Sequence, residues 1–311
     1  MAIIDILGVP HAYELTSPTG SSSPVLVFIH GWLLSRNYWQ PLIERLAPDY
    51  QCLSYDLRGF GDSQPQVDQA QQTQLNLASA LLDADVAELL TSRYTLAAYA
   101  KDLGVLLAQL GIDRAWLIGH SLGGSIALWG ASLLSDRVEG VICLNAGGGI
   151  YLKEEFERFR GVGQRLVARR PRWLNYIPLI DLLFARAMVA RPLERRWGRQ
   201  RLIDFIAADS EAALGTLLDS TTEAEVNRLP QVVSKLQQPV YFVAGVKDTV
   251  MEPKYVRHLA SFHNLFGECG DNVIEIPGCG HMVMVECPDA VNTHIRQILV
   301  DCQEHSWLQK R

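Results

Sequence analysis

Short, mainly apolar runs alternate along this chain with stretches in which apolar residues recur every three or four positions. Val25-Leu26-Val27-Phe28-Ile29, Cys52-Leu53-Ser54-Tyr55, Ala115-Trp116-Leu117-Ile118, Val138 to Leu144, Val240 to Ala244 and Val273 to Ile276 are runs of the first kind. Each is short enough for a strand, and a continuous apolar run marks a strand buried on both faces. Between them Leu96, Tyr99, Leu103, Leu106, Leu107 and Leu110 follow the period of one helical face. The alternation predicts an α/β chain with a mostly parallel central sheet flanked by helices.

Two stretches leave this rhythm. From Gln64 to Arg93 the chain is rich in Gln and Ala and ends in an apolar-periodic stretch, which predicts an exposed loop and a short helix. From about Ile150 to Leu229 the strand signal vanishes behind helical spacing, until Pro239 opens the next strand. The expected organisation is a core over residues 1–148, a helical insertion or cap over 149–231, and the second part of the core over 232–311. There is no internal repeat and no linker long enough to separate independent domains.

A length of 311 residues with 48% hydrophobic and 20% charged content is that of a globular chain able to bury a sizeable core, which excludes disordered and fibrous classes. The net charge of −6 argues against a surface built to grip nucleic acid. Six scattered cysteines without a C-x-x-C and an N-terminus without a basic leader fit a reduced, cytoplasmic setting.

Chemistry enters at Gly119-His120-Ser121-Leu122-Gly123, a G-x-S-x-G between the strand ending near Ile118 and a helical pattern from Ser125. At a strand-to-helix turn the glycines leave room for a cramped backbone and hold Ser121 exposed at the tip. A serine hydroxyl needs a base to take its proton and a carboxylate to orient that base. Asp248 follows the strand from Val240, and His281 follows the strand from Val273 through a glycine-rich loop; they lie 127 and then 33 residues further along. Ser, Asp, His is the chain order of one known triad family.

On HGW at 30–32, DLRGFGDS at 56–63, GHSLGG at 119–124, the strand with Asp248, and GCGHMVMVECPDAV at 278–291, the chain resembles the α/β-hydrolase superfamily over nearly its whole length outside the helical insertion. The resemblance implies a serine hydrolase with Ser121 as nucleophile, His281 as base, Asp248 as orienting acid, and the backbone N–H groups of Leu122 and Trp32 as the oxyanion hole. It implies a loop-shaping role for His30, a structural one for Asp56 to Ser63 with turns at Gly59 and Gly61, and a packing or hydrogen-bonding one for His120. Asn145 stands where some relatives keep their acid, but as an amide it does not compete with Asp248. Gly147-Gly148-Gly149 reads as a flexible entry to the insertion. A serine at the nucleophile position argues against haloalkane dehalogenase and epoxide hydrolase chemistry, for which relatives use aspartate. Ester, thioester, amide and carbon–carbon hydrolysis all remain. With no H-E-x-x-H, P-loop or G-x-G-x-x-G, no metal, cofactor or nucleotide is implied.

Charge alters the picture at the insertion. Residues 151–201 hold thirteen basic and five acidic residues, a net +8 that leaves −14 for the rest of the chain. The apolar stretch Trp173 to Val189 is flanked by arginines on both sides. It is too interrupted to span a bilayer but suits peripheral contact with an anionic membrane surface. An ordinary hydrolase cap, apolar beneath and with solvated arginines, reads the same way. Both predict an apolar pocket for a small-molecule or lipid-like ester. The function expected is ester cleavage through an acyl-enzyme at Ser121; the alternatives are a carbon–carbon bond hydrolase acting on a diketone and a non-catalytic ligand-binding protein on the same fold.

Overall fold

The computed structural model describes residues 1–19, 23–64, 92–148, 153–267 and 270–309. The loop and helix expected between Gln64 and Arg93 therefore lie almost wholly outside the described residues. The six apolar runs all become strands of one eight-stranded sheet: β3 (Val25–Ile29), β4 (Cys52–Tyr55), β5 (Ala115–His120), β6 (Val138–Leu144), β7 (Val240–Gly245) and β8 (Val273–Ile276). They are mutually parallel, and the sheet order is β1-β2-β4-β3-β5-β6-β7-β8.

β1 (Ala2–Ile6) and β2 (Val9–Leu15) form an N-terminal hairpin that the sequence reading did not anticipate, with β2 also antiparallel to β4. Its two-residue turn puts both Leu7 and Gly8 at positive φ, as a type I′ turn requires. The signal was hidden because Pro10, inside β2, argues against a strand on propensity alone.

Alternation along the buried strands fills two cores at once. In β5, Ala115 and Leu117 join the apolar cluster on one face, while Trp116 and Ile118 join the cluster on the other. In β3, Val27 and Ile29 divide from Leu26 and Phe28 in the same way. The first face is covered by α2 (Leu96–Gln109), α3 (Leu122–Leu133) and α9 (Pro253–Ala260), the second by α1 (Gln40–Leu46), α10 (Val283–Glu286) and α11 (Pro288–Gln309).

Among the described residues the chain between β6 and β7 contains helices and no strand: α4 (Lys153–Ala168), α5 (Ile180–Phe184), α6 (Arg195–Ala207), α7 (Ser210–Ser220) and α8 (Glu223–Lys235). Asp209 caps α7 by accepting from the Ala212 N–H, and Thr222 caps α8 by accepting from the Glu225 N–H. The helical stretch runs past residue 231, to Lys235, and α8 is tied to α3 by a Trp129 indole bond to Glu225 of 2.6 Å. The insertion also meets the core where Trp32 Nε1 donates to the Ala213 carbonyl (2.9 Å) and Ser35 to Asp204 (3.0 Å). No helix among the described residues is long and apolar enough to cross a membrane.

Candidate active site

Between β5 and α3 the backbone reverses at Ser121, which sits at φ 52° and ψ −118°. A non-glycine residue in this region is strained, and the surrounding packing has to hold it there. Here the packing leaves no alternative: a Cβ on Gly119 would lie 2.2 Å from the Gly123 carbonyl oxygen, and one on Gly123 2.1 Å from that of Ile29. The Ser121 N–H is fastened to the Leu144 carbonyl at 2.9 Å. The turn thus presents the serine side chain at the strand ends, half-buried.

Leu122 is the first residue of α3, so its N–H belongs to the set that a helix leaves without an internal partner. Among the described residues neither this N–H nor that of Trp32 has an intramolecular acceptor. Trp32, Ser121 and Leu122 line one cavity of about 90 Å³, whose other walls include Gly147, Phe159, Leu217, Val250 and Met251. The cavity therefore joins a hydroxyl and two open donors to mainly apolar walls.

Asp248 and His281 meet beside it. His281 Nδ1 lies 2.7 Å from Asp248 Oδ2, and both side chains are buried. Asp248 Oδ1 accepts from the backbone N–H groups of Val250 (2.8 Å) and Met251 (3.0 Å). Asn145 donates to Asp248 Oδ2 at 2.5 Å and to the Gly280 carbonyl at 3.0 Å. Burial pushes the Asp248 carboxyl up, but His281, the Met251 N–H and the Asn145 amide outweigh it and hold the group below its ordinary value. Asp248 is therefore a carboxylate that fixes Nδ1 of His281 as the protonated nitrogen and leaves Nε2 as the basic one. No hydrogen bond joins Ser121 to His281 in this structure, so the five predicted residues fall into two adjoining groups: the pair, and the three on the cavity.

Two further histidines beside the site, His120 and His30, are tied to the backbone. His120 Nε2 donates to the His281 carbonyl at 2.7 Å, with the two rings 4.8 Å apart. Burial first, and then the neighbouring His281, pushes the His120 pKa down to about 3, so it is neutral and props the loop of His281. His30 accepts from the Leu57 N–H at 2.9 Å and bonds the Gly31 carbonyl at 2.8 Å, bracing the loop of Trp32 against the one that follows β4. In the Asp56 to Ser63 segment, Asp56 receives the Arg36 and Asp62 N–H groups at 2.6 and 2.8 Å, and Arg58 pairs with Asp102 of α2. Among the described residues, no group of His, Cys, Asp and Glu could hold a metal.

The sequence reading missed Asn145 as a partner of Asp248, and Phe159 and Leu217 as cavity walls. A polar residue ending an otherwise apolar strand was the available signal for Asn145. Helical periodicity gives none for Phe159 and Leu217, because it cannot say which face of an insertion helix points at the site.

A family model described as alpha/beta hydrolase fold matches residues 24–288. The chain is 28% identical over 276 residues to a 2-succinyl-6-hydroxy-2,4-cyclohexadiene-1-carboxylate synthase of Enterobacter sp. (strain 638), covering 89% of this chain and 92% of that one. It is 35% identical over 130 residues to a pimeloyl-[acyl-carrier protein] methyl ester esterase of Aliivibrio salmonicida, covering 42% of this chain and 38% of that one. A thermophilic esterase from Thermogutta terrifontis superposes with a TM-score of 0.70 at 22% identity, over 97% of this chain and 99% of that one. With the matched model spanning the six parallel strands and every strand-end loop of the site, the chain belongs to the α/β-hydrolase family.

Proposed function

We propose that this protein is a serine hydrolase cleaving a carboxylic ester with an apolar acyl or alcohol part, through an acyl-enzyme at Ser121. The observation that carries the reading is the cavity itself, where the strained Ser121 stands with the acceptor-free N–H groups of Trp32 and Leu122. A scissile carbonyl seated there has a nucleophile on its carbon and two donors for its oxygen, the arrangement that acyl transfer needs. Ser121 Oγ attacks the carbonyl carbon as His281 Nε2 takes the hydroxyl proton. Asp248 stabilises the imidazolium, and the N–H groups of Trp32 and Leu122 hold the oxyanion. His281 then returns the proton to the departing alcohol. Water, activated by the same base, attacks the acyl-enzyme and restores Ser121. The Ser121 to His281 hydrogen bond is formed as substrate closes the site, as free enzymes of this kind often require. The helical insertion acts as a cap, supplying Phe159 and Leu217 as the apolar wall against the substrate chain.

The test is fluorophosphonate labelling together with activity on p-nitrophenyl esters, thioesters and diketones, for wild type and Ser121→Ala. Labelling and ester turnover, both lost in Ser121→Ala by about 10³-fold or more, are expected. Turnover of diketones alone would give the site to carbon–carbon hydrolysis, and an unreactive wild type would make it a binding site.

A further inference from the structure

The insertion exposes an apolar face of its own. Between Trp173 and Met188, Trp173 is 60% exposed, Tyr176 83%, Leu179 58% and Leu183 65%. Isolated exposed apolar residues are ordinary on a protein surface, but a run of them within one short stretch marks an interaction face.

Local packing explains why they are not inside. α5 is anchored to α6 by the Phe184 and Phe205 rings, 5.6 Å between centroids. Its backbone also sits so near Gly198 that a Cβ there would be 2.0 Å from the Asp181 carbonyl oxygen. With that side fixed, Leu179 and Leu183, four residues apart, share the outward side. Leu179 is at φ 61°, so the chain adopts a left-handed residue at the start of α5 in reaching this arrangement.

Charge indicates what covers the face. Arg169 precedes it and Arg186 and Arg191 close it; all three are exposed, and none pairs with a carboxylate among the described residues. The nearby acids, Asp181 and Glu194, are engaged by Arg195 and Arg196. Apolar and aromatic side chains edged by unneutralised arginines complement an anionic headgroup layer over hydrocarbon, with Trp and Tyr at its boundary. We propose that the face from Trp173 to Met188 docks this protein on an anionic lipid surface, lying on the bilayer without crossing it.

The same segment ends at the site. The His281 N–H donates to the Met188 carbonyl at 3.0 Å, and the Ala190 N–H donates to Glu286 at 2.8 Å. A surface that grips Leu179, Leu183 and Met188 therefore holds the strand of backbone to which His281 is tied, and it brings the cavity to where apolar esters partition.

Co-sedimentation with vesicles tests the proposal without relying on turnover. Wild type is expected to pellet with phosphatidylcholine vesicles containing phosphatidylglycerol, to be released by high salt, and to stay in solution with phosphatidylcholine alone. Arg169→Gln, Arg186→Gln and Arg191→Gln each weaken binding by about fivefold. Leu179→Ser combined with Leu183→Ser weakens it by about tenfold or more, with the far-ultraviolet dichroism unchanged. Wild type remaining in solution with anionic vesicles at low salt overturns the proposal, as does binding indifferent to both sets of variants. A wild-type dimer that the leucine variant converts to monomer, without vesicle binding, assigns the face to a second copy of the chain instead.

Discussion

The carboxamide of Asn145 donates to the same oxygen of Asp248 that faces Nδ1 of His281, at 2.5 Å against 2.7 Å. One oxygen thus takes both bonds while the other takes the Val250 and Met251 N–H groups, so every bond received by Asp248 fixes its direction toward His281. The side-chain oxygen Oδ1 of Asn145 in turn accepts from the Gly245 N–H at 3.3 Å, joining the ends of β6 and β7.

Asn145 is accordingly a positioning residue. Replacing it by Ala removes a bond to a charged group, a loss of about 1.5–3 kcal/mol. Asn145→Ala should lower kcat by about 10- to 100-fold with KM little changed, and should move the acid limb of the pH profile upward, since Asp248 loses a donor that holds its pKa down. Asn145→Asp sets a second carboxylate against the first and should depress activity further near neutral pH. Equal kcat in wild type and Asn145→Ala would remove this role.

At the turn itself, Gly123→Ala forces a Cβ to within 2.1 Å of the Ile29 carbonyl oxygen, which is backbone and cannot step aside. Expected are a stability loss of about 1–3 kcal/mol by denaturant unfolding and loss of fluorophosphonate labelling, because the shift displaces both Ser121 and the Leu122 N–H. Normal labelling in this variant would mean the turn tolerates more room than its packing allows.

Chain-length selectivity should follow the apolar wall. Phe159 and Leu217 stand in the cavity wall, so a longer acyl chain has to press against them. Phe159→Ala or Leu217→Ala should raise kcat/KM for medium-chain over acetyl esters by about tenfold relative to wild type. An unchanged profile would move the acyl site elsewhere.

Where the insertion meets the core, Asp204 is held at about pKa 7, chiefly by burial, against the bonds from Ser35 and Gln200 that favour its charged form. The unfolded chain releases this proton near pH 4. The folded state therefore binds more protons between about pH 4 and 7, and the contribution of Asp204 to stability falls as pH rises through that window, then levels off. Asp204→Asn should lack this fall and gain about 4 kcal/mol over wild type at pH 8 relative to pH 4. Parallel pH curves for the two proteins would refute the assignment.

The inner parallel strands were legible because burial on both faces writes itself into the chain as an apolar run such as Val25–Ile29. The hairpin of β1 and β2 was not, since Pro10 and a left-handed Leu7 oppose local preference and only pairing with β4 stabilises the strand. The apolar stretch from Trp173 was legible as composition, yet composition could not say that Leu179 and Leu183 face outward. That depended on which side of α5 packs against Gly198 of α6.

By itself the sequence determined the six parallel strands, the turn at Ser121 and the order in which Ser121, Asp248 and His281 follow their strands, because each is set by residues a few positions apart. The tertiary structure decided which of these ends meet. Placing β3 beside β5 brings the Trp32 loop to the Leu122 N–H, and the succession β5-β6-β7-β8 carries Ser121, Asn145, Asp248 and His281 to one edge of the sheet. Those residues are separated by tens to more than a hundred positions. Their meeting depends on how the whole sheet and its two cores pack, which no local pattern encodes.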